Sequence, residues 1–298
     1  MPTLMQLRDR VRSLKNTQQI TRAMKMVAGA RIRRAELAMR AARPYAGGIG
    51  AMLAELSAAG GATHPLLQSP AATSTGILLM TADKGLCGAF NSNLVRAGSA
   101  LARTVTKAQF FVVGVKGRVQ VRRTPFPVVA DWPLQSKPFV ELAKDIATQV
   151  SGEFLSGNVS AVMLVSSRFV STIVQRPTPM QLLPIAPTPA PAGAGESASS
   201  SDQASARGGG LKNSFEFEPD VGGVLAALLP KYLEFTIFQA LLETQASEFA
   251  ARLIAMTNAT DNAGKLIDEL TLVMNKTRQA SITKEILEIV GGAEALKG

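Results

Sequence analysis

Residue types on which many catalytic and binding sites depend are scarce in this sequence. Its 298 residues include one cysteine, Cys87, and one histidine, His64. A single cysteine excludes an internal disulfide framework, and a single histidine argues against a histidine-based metal site or a Ser-His-Asp triad. His64 lies in a Gly- and Pro-containing loop and is expected to be an ordinary surface residue. Aromatic residues make up only 5% of the chain, which argues against a protein that stacks nucleic-acid bases on its side chains.

The motifs that cradle phosphates are also missing. Neither the G-x-x-x-x-G-K-[ST] loop nor the G-x-G-x-x-G turn occurs, and the stretch Gly114–Gly117 satisfies neither pattern. Because these motifs are missing, we predict no bound nucleotide. We also predict no other cofactor and no metal site. No apolar run reaches the length of a membrane span, and the first residues lack the apolar core of a signal peptide. We therefore expect neither segment.

The net charge of +10 is unevenly distributed along the chain. Residues 1–57 hold eleven basic and three acidic side chains, whereas residues 219–298 hold seven basic and ten acidic ones. The first segment therefore carries +8 and the last −3. This imbalance predicts a long-range attraction of the first segment to an acidic partner.

Both ends of the chain have the composition of long helices. Residues 219–298 are rich in Ala, Leu, Glu, Lys, Gln and Met, which favour helix, and a helix over most of them would measure about 100 Å. Near the start, a heptad-like apolar spacing is interrupted by Gln18 and Thr21, and Gly60-Gly61 is expected to end this helix. The apolar positions before the interruption are Leu4, Leu7, Val11 and Leu14.

The middle of the chain alternates between strand-like and helical segments. Apolar runs bounded by turn residues predict strands, and two longer segments between them have helical spacing. The predicted strands are Gly76–Thr81, Phe110–Val115, Val128–Ala130, Val159–Ser166 and Ser171–Leu183, and the predicted helices are Asn93–Thr106 and Pro138–Phe154. Such alternation predicts a small, partly parallel, Rossmann-like α/β sheet.

These segments predict four parts of the chain. They are an N-terminal coiled-coil helix over residues 1–60, an α/β domain over 74–186, a flexible Pro/Ala/Gly/Ser loop over 187–214 and a C-terminal coiled-coil helix over 215–298. The loop has too few apolar residues to offset the entropy of ordering it. The two long helices can bury their apolar stripes by packing antiparallel against each other. The predicted fold class is α/β, with a long antiparallel two-helix coiled coil built from both termini.

Two local features suggest other functions. The turn after the first predicted strand contains Asp83, Lys84 and Cys87, which an enzyme with a reactive thiol could use, although a tight connection with a buried cysteine explains the same residues. Five arginines of the first helix could meet nucleic-acid phosphates, although no aromatic residue is interleaved with them. They are Arg31, Arg33, Arg34, Arg40 and Arg43. A basic coiled-coil structural or nucleic-acid-binding protein is therefore the alternative interpretation.

The end of the last helix loses side-chain bulk. A stripe of Ile282, Ile286 and Ile289 is followed by the small residues of the segment 291–295, GGAEA. A tip built from small and apolar residues is predicted to turn inside a tight apolar sleeve.

Five segments spread along the chain match one known family. They are residues 16–28 (NTQQITRAMKMVA), residues 81–91 (TADKGLCGAFN), the pair Glu218-Pro219, residues 259–264 (ATDNAG) and residues 278–293 (RQASITKEILEIVGGA). These segments resemble the gamma subunits of F-type ATP synthase, and the last is similar to that family's C-terminal signature. Because the matches occur in order from one end to the other, the resemblance covers essentially the whole chain.

The resemblance implies a central-stalk rotor subunit, which transmits rotation driven by proton flow to the catalytic beta subunits for ATP synthesis. The expected partners are three alpha and three beta subunits, the epsilon subunit and the ring of c subunits, with no nucleic acid and with the membrane met only through the complex. It also implies a subunit that is not itself catalytic, peripheral on the cytoplasmic face of a bacterial cell membrane. Chloroplast members of the family carry a regulatory cysteine pair, whereas Cys87 is alone here.

The resemblance also implies which residues couple rotation to the beta subunit. They are Met24, Lys25, Arg252, Gln279, Thr283 and Glu285. The first two lie where the family's first helix meets an acidic loop of beta, which fits the +8 charge of residues 1–57. The next three correspond to positions that contact a loop of beta, and the last matches the acidic position of the C-terminal signature.

Overall fold

A computed structural model describes residues 3–59, 64–186 and 220–295 of the chain. In chain order, one long helix precedes an alternation of strands and shorter helices, and a second long helix follows it. The helices are α1 (Leu4–Ala59), α2 (Phe90–Ala102), α3 (Val115–Val121), α4 (Phe139–Leu155) and α5 (Val221–Ala295), with a 3-10 turn at Pro65–Leu67, and the strands are β1 (Ser74–Met80), β2 (Lys107–Val113), β3 (Val128–Trp132), β4 (Ala161–Phe169) and β5 (Gln175–Leu183).

Both long helices continue through a proline. Pro44 lies inside α1 and Pro230 inside α5, although a proline within a helix removes one backbone hydrogen bond and costs about 3 kcal/mol. In α5 this cost is offset by burial on either side of the proline, because Leu229 and Leu233 are 0% and 1% exposed. With 75 residues, α5 is about 110 Å long.

The five strands form one sheet in the order β3-β2-β1-β4-β5. The first four run parallel and β5 runs antiparallel to β4. Central β1 is flanked on both sides, with Ile77 opposite Phe110 of β2 and Met163 of β4. The prediction of a small, partly parallel sheet is therefore confirmed, as is the combination of an α/β domain with long terminal helices.

The apolar core lies between the sheet, α4 and parts of both long helices. From α5 it takes a row of residues at helical spacing, so that one stripe of the helix is buried. The row consists of Leu225, Leu229, Leu233, Ile237 and Leu241. By length and composition α5 is apolar enough to cross a membrane, contrary to the expectation from the sequence, and this buried row explains part of that apolarity.

Contacts divide the chain into two compact units. The first unit contains Met1–Arg34, Leu86–Phe90 and Glu248–Gly298, and the second contains Ala35–Gly85 and Asn91–Ser247. Both long helices therefore contribute to both units. The four-part division predicted from the sequence stays a prediction, and the predicted loop over 187–214 and the helix end at Gly60-Gly61 lie outside the described residues.

Several predicted details are wrong or incomplete. The sequence interpretation omitted α3, and it started the last strand at Ser171, where the structure has a turn before Gln175. His64 is a half-buried cap rather than an ordinary surface residue, because its Nδ1 accepts a hydrogen bond of 3.1 Å from the Leu66 amide of the 3-10 turn.

Candidate functional site

In the first compact unit, α1 and α5 run antiparallel. Gln18 Nε2 donates a hydrogen bond of 3.5 Å to the Thr260 carbonyl, whereas Gly29, eleven residues further along α1, lies beside Leu253. The contacting residues on α5 thus have lower numbers as the residue numbers on α1 rise. The predicted antiparallel pairing of the terminal helices is confirmed.

The polar interruption of the α1 seam has a matching interruption on α5. The hydroxyl oxygens of Thr21 and Thr260 lie 2.9 Å apart, and a Cβ added at Gly264 would lie 3.1 Å from Gln18 Nε2. The polar residues that break the heptad rhythm therefore face polar or small residues across the pair, which gives the two helices one preferred register.

Arg252 belongs to a buried charged cluster within the chain. Its guanidinium lies 2.6 Å from the Glu248 carboxylate, and the two side chains are only 10% and 4% exposed. The ring of Phe249 has two guanidinium groups near it, with Arg31 of α1 at 5.7 Å and Arg252 at 5.8 Å from its centroid. The cluster therefore joins α1 to α5 through the cation–π contact between Arg31 and Phe249.

This placement separates Arg252 from the other predicted coupling residues of α5. Gln279 lies 27 residues further on, about 40 Å away along the helix axis. The observed contacts of Arg252 are inside the chain, so its contact with a beta subunit stays a prediction. Sequence reasoning overlooked Glu248 as its partner, although the spacing of four residues between opposite charges was a readable signal.

The structure places Gln279 and Thr283 on one face of exposed turns of α5, whereas Glu285, two residues after Thr283, lies on another side of the helix. Thr283 Oγ1 donates a hydrogen bond of 2.9 Å to the Gln279 carbonyl, and Ser281 Oγ donates one of 3.3 Å to Glu285. These bonds remain within the helix, so they fix side-chain conformations and leave the polar surface accessible. On α1, Met24 and Lys25 are both half-buried.

Large apolar residues lie among these polar positions. Every residue from 278 to 293 is exposed. The large apolar residues among them are Ile282, Ile286, Leu287, Ile289 and Val290, which are between 48% and 71% exposed. Large apolar residues clustered on one exposed helix segment mark a surface that another protein covers.

The turn after β1, which offered the enzyme interpretation, is a structural connection. The Asp83 carboxylate accepts three backbone hydrogen bonds of 2.9 to 3.0 Å, from Val115, Leu134 and Gln135. Cys87 is buried, at 2% exposure. Asp83 therefore ties the turn to neighbouring loops, as expected for a tight connection with a buried cysteine.

The Gly114–Gly117 stretch serves close packing. Gly114 has a φ of +96°, and a Cβ at this position would lie 2.3 Å from the Thr81 carbonyl oxygen. The Gly117 amide donates a hydrogen bond of 2.9 Å to Thr81 Oγ1. The two glycines let the start of α3 approach β1. No local pattern predicts this contact, because the partners are more than thirty residues apart.

Comparison with known proteins matches one family along nearly the whole chain. A family model described as ATP synthase matches residues 3–296. The ATP synthase gamma chain of Desulforamulus reducens is 42% identical, with 98% of each chain covered, and that of Heliobacterium modesticaldum is 44% identical, with 99% of this chain and all of the relative covered.

Solved structures with the same fold come from two mitochondrial ATP synthases. A chain of the central stalk and c-ring structure from Tetrahymena thermophila has a TM-score of 0.59 at 25% identity, covering 80% of this chain and 99% of that chain. A chain from the Euglena gracilis enzyme has a TM-score of 0.65 at 18% identity, covering 98% and 94%, and this likeness concerns the fold alone. Because the family model and the close relatives cover nearly the full length, the chain belongs to the gamma-chain family of ATP synthase.

Proposed function

We propose that this chain transmits torque through its paired helices to catalytic beta subunits and performs no chemistry of its own. Membership of the gamma-chain family makes it a rotor subunit of ATP synthase, and the related Tetrahymena structure is of a central stalk with its c-ring. The observation that carries the proposal is the apolar end of α5, residues 278–293, which is exposed on all sides.

The register of the helix pair explains why α1 does not accompany this end of α5. With Gln18 beside Thr260, the first residue of α1, Leu4, falls near residue 274 of α5. Because α5 continues to Ala295, its last turns extend past α1. Such a segment needs a sleeve from other subunits, and we assign that sleeve to three alpha and three beta subunits.

Rotation of an asymmetric shaft changes which conformation of each surrounding subunit is stabilised. Energy is transferred only where the shaft contacts two conformations differently. Gln279, Thr283 and Glu285 are accessible polar groups in an apolar surface, so they are suited to contacts that form in one rotational position and break in the next. On α1, Met24 and Lys25 are proposed to meet an acidic loop of beta, in line with the +8 charge of residues 1–57.

The remaining partners follow from the complex. We propose that the epsilon subunit and the ring of c subunits bind this chain at the α/β domain. The complex would then hold the chain at the cytoplasmic face of a bacterial cell membrane, without a direct role for lipid.

The test uses ATP synthase assembled with Gln279→Leu and Thr283→Val chains. We expect the variants to co-purify with alpha and beta subunits and to restore their ATPase, but to support less proton-driven ATP synthesis. Thr277→Val is the control, because its hydroxyl also bonds to its own helix, at 3.0 Å from the Val273 carbonyl, outside the proposed contact. Unchanged ATP synthesis in the Gln279 and Thr283 variants would remove them from the coupling site.

A further inference from the structure

In the second compact unit, one face of α5 is bonded to the end of β4. The Phe169 amide donates a hydrogen bond of 3.0 Å to Glu243 Oε1, and Ser247 Oγ donates one of 3.3 Å to the Ser167 carbonyl. Residues four apart lie on the same face of a helix, and residues two apart lie on the same side of a strand. The two bonds therefore tie one helix face to one side of the strand end.

The same face of α5 also reaches β1. Thr244 Oγ1 lies 3.9 Å from Met80 Sδ, and both residues are completely buried. Met80 is the last residue of β1, as Phe169 is of β4. We call the three α5 residues, Glu243, Thr244 and Ser247, the helix clasp. The clasp thus holds the carboxyl ends of two neighbouring parallel strands.

This position is the switch point of the sheet. From β1 the chain adds β2 and β3 on one side and β4 and β5 on the other, and open α/β sheets bind their ligands in the crevice at such a point. Here residues of α5 contact both strand ends that border the crevice. The chain's own long helix therefore takes the place that a small ligand has in related architectures.

The clasp differs in kind from the apolar packing of the rest of α5 in this unit. The buried row from Leu225 to Leu241 gains stability from area removed from water, which has no preferred direction. Hydrogen bonds depend on angle as well as distance, so they resist rotation and sliding of a helix on the sheet. Ser247 is also the last residue of this unit, so the clasp lies where α5 leaves it.

Glu243 keeps its contact with β4 at a site that disfavours its charged form. Burial raises the pKa of its carboxyl group, and this effect outweighs the Phe169 amide and the charges of Arg168 on β4 and Arg43 on α1, which lower it. The ionised side chain is therefore held at a net cost relative to its neutral form. A carboxyl group that keeps a defined backbone contact although burial disfavours its charged form is consistent with a positional role.

We propose that Glu243, Thr244 and Ser247 are positioning residues that fix α5 to the α/β sheet, so that torque passes between the shaft helix and this domain through their contacts. The proposal rests on the rotor function proposed above. It assigns the transfer of rotation to three side chains, and it assigns the buried apolar row to holding the domain together.

The experiment compares chains assembled into complete ATP synthase in inverted membrane vesicles. The test chain carries Glu243→Leu, Thr244→Val and Ser247→Ala, which remove the three contacts and keep side chains that tolerate burial. Glu243→Gln is the conservative variant, since its amide oxygen can still accept from Phe169. Thr236→Val is the matched control, because the Thr236 hydroxyl bonds to Tyr232 of its own helix at 2.8 Å.

Two rates are measured in the same vesicles, ATP hydrolysis and ATP-driven proton uptake. We expect the triple variant to hydrolyse ATP and to lose proton uptake per ATP hydrolysed, whereas the Glu243→Gln and Thr236→Val chains keep the parent ratio. The proposal is overturned if the triple variant keeps the parent's ratio of proton uptake to ATP hydrolysed, or if Thr236→Val lowers that ratio by the same amount. If the triple variant does not assemble, Glu243→Leu alone decides by the same criterion.

Failure of the rotor function itself would look different. It would appear as a parent complex that hydrolyses ATP without moving protons, whichever residues stand at positions 243, 244 and 247. A merely structural role of the clasp would lower the melting temperature of the assembled variant and leave its ratio of protons to ATP unchanged.

Discussion

Replacing Arg252 with methionine tests how much the buried ion pair, whose two partners both lie on α5, stabilises the chain. With side chains 10% and 4% exposed and an N–O distance of 2.6 Å, Arg252 and Glu248 form a pair that is largely desolvated. Removing one partner of such a pair costs about 3–5 kcal/mol, because the other charge stays buried. Replacing both residues with methionine should be nearly neutral, since no charge is then left in the apolar seam.

The assay is a double-mutant cycle on the purified chain, with unfolding by urea followed by circular dichroism. The exposed pair Lys284–Glu288 has the same spacing, a distance of 3.5 Å and side chains 77% and 65% exposed, so its cycle should give about 0.5 kcal/mol or less. A coupling free energy for the buried pair below about 1 kcal/mol would refute the reasoning, because it would place the pair in the solvated range.

The same double variant separates two roles of Arg252 in the complex. If Arg252 acts through its contacts inside the chain, restoring stability with Glu248→Met/Arg252→Met restores ATP synthesis as well. If the guanidinium contacts a beta subunit, as the family resemblance implies, stability returns and ATP synthesis does not. We expect the first result, because Arg252 is only 8% exposed as a whole residue.

Two further predictions concern the α/β domain. Gly114→Ala should lower the free energy of unfolding by at least about 2 kcal/mol, because φ is +96° and the new Cβ meets the Thr81 carbonyl. Gly152→Ala is the control, since Gly152 lies inside α4 with open space around it, and it should raise the free energy of unfolding by about 0.5–1 kcal/mol. Equal effects of the two substitutions in urea unfolding would contradict the Gly114 packing. Because the folded-state pKa of Glu243 is raised above its ordinary 4.5, its contribution is complete below that value and is lost as pH rises through the folded pKa. The Glu243→Gln chain should therefore gain stability relative to the parent from acid to neutral pH, and a parallel pH profile of the two chains would show that burial does not control this carboxyl group.

Local patterns in the sequence determined the main elements. Apolar runs located β1 to β4, an extended segment located β5, and the composition of the ends located both long helices, because strand and helix periodicity depend on neighbouring residues. The interruption of the first heptad pattern at Gln18 and Thr21 was also visible in the sequence, and such polar seam residues need polar partners. The family followed from ordered motifs that span the chain, and the comparisons confirm it.

Contacts between distant segments were decided only by the tertiary structure. The helix α3 was missed because it has seven residues, too few for a periodic signal, and it forms where Gly114 and Gly117 let it pack on Thr81. Asp83 resembles a candidate catalytic group in the sequence, whereas in the fold its carboxylate is occupied by three backbone donors, up to 52 residues away.

The coupling residues show the same limit. Sequence similarity grouped Arg252 with Gln279 and Thr283, and one continuous helix then placed them about 40 Å apart, one buried against α1 and two exposed. The clasp on α5 had no sequence signal either, because Glu243, Thr244 and Ser247 are ordinary helix residues until β1 and β4 end beside them. Composition and periodicity determine which segments are helices and strands, whereas burial and partners depend on which distant segments the fold brings together.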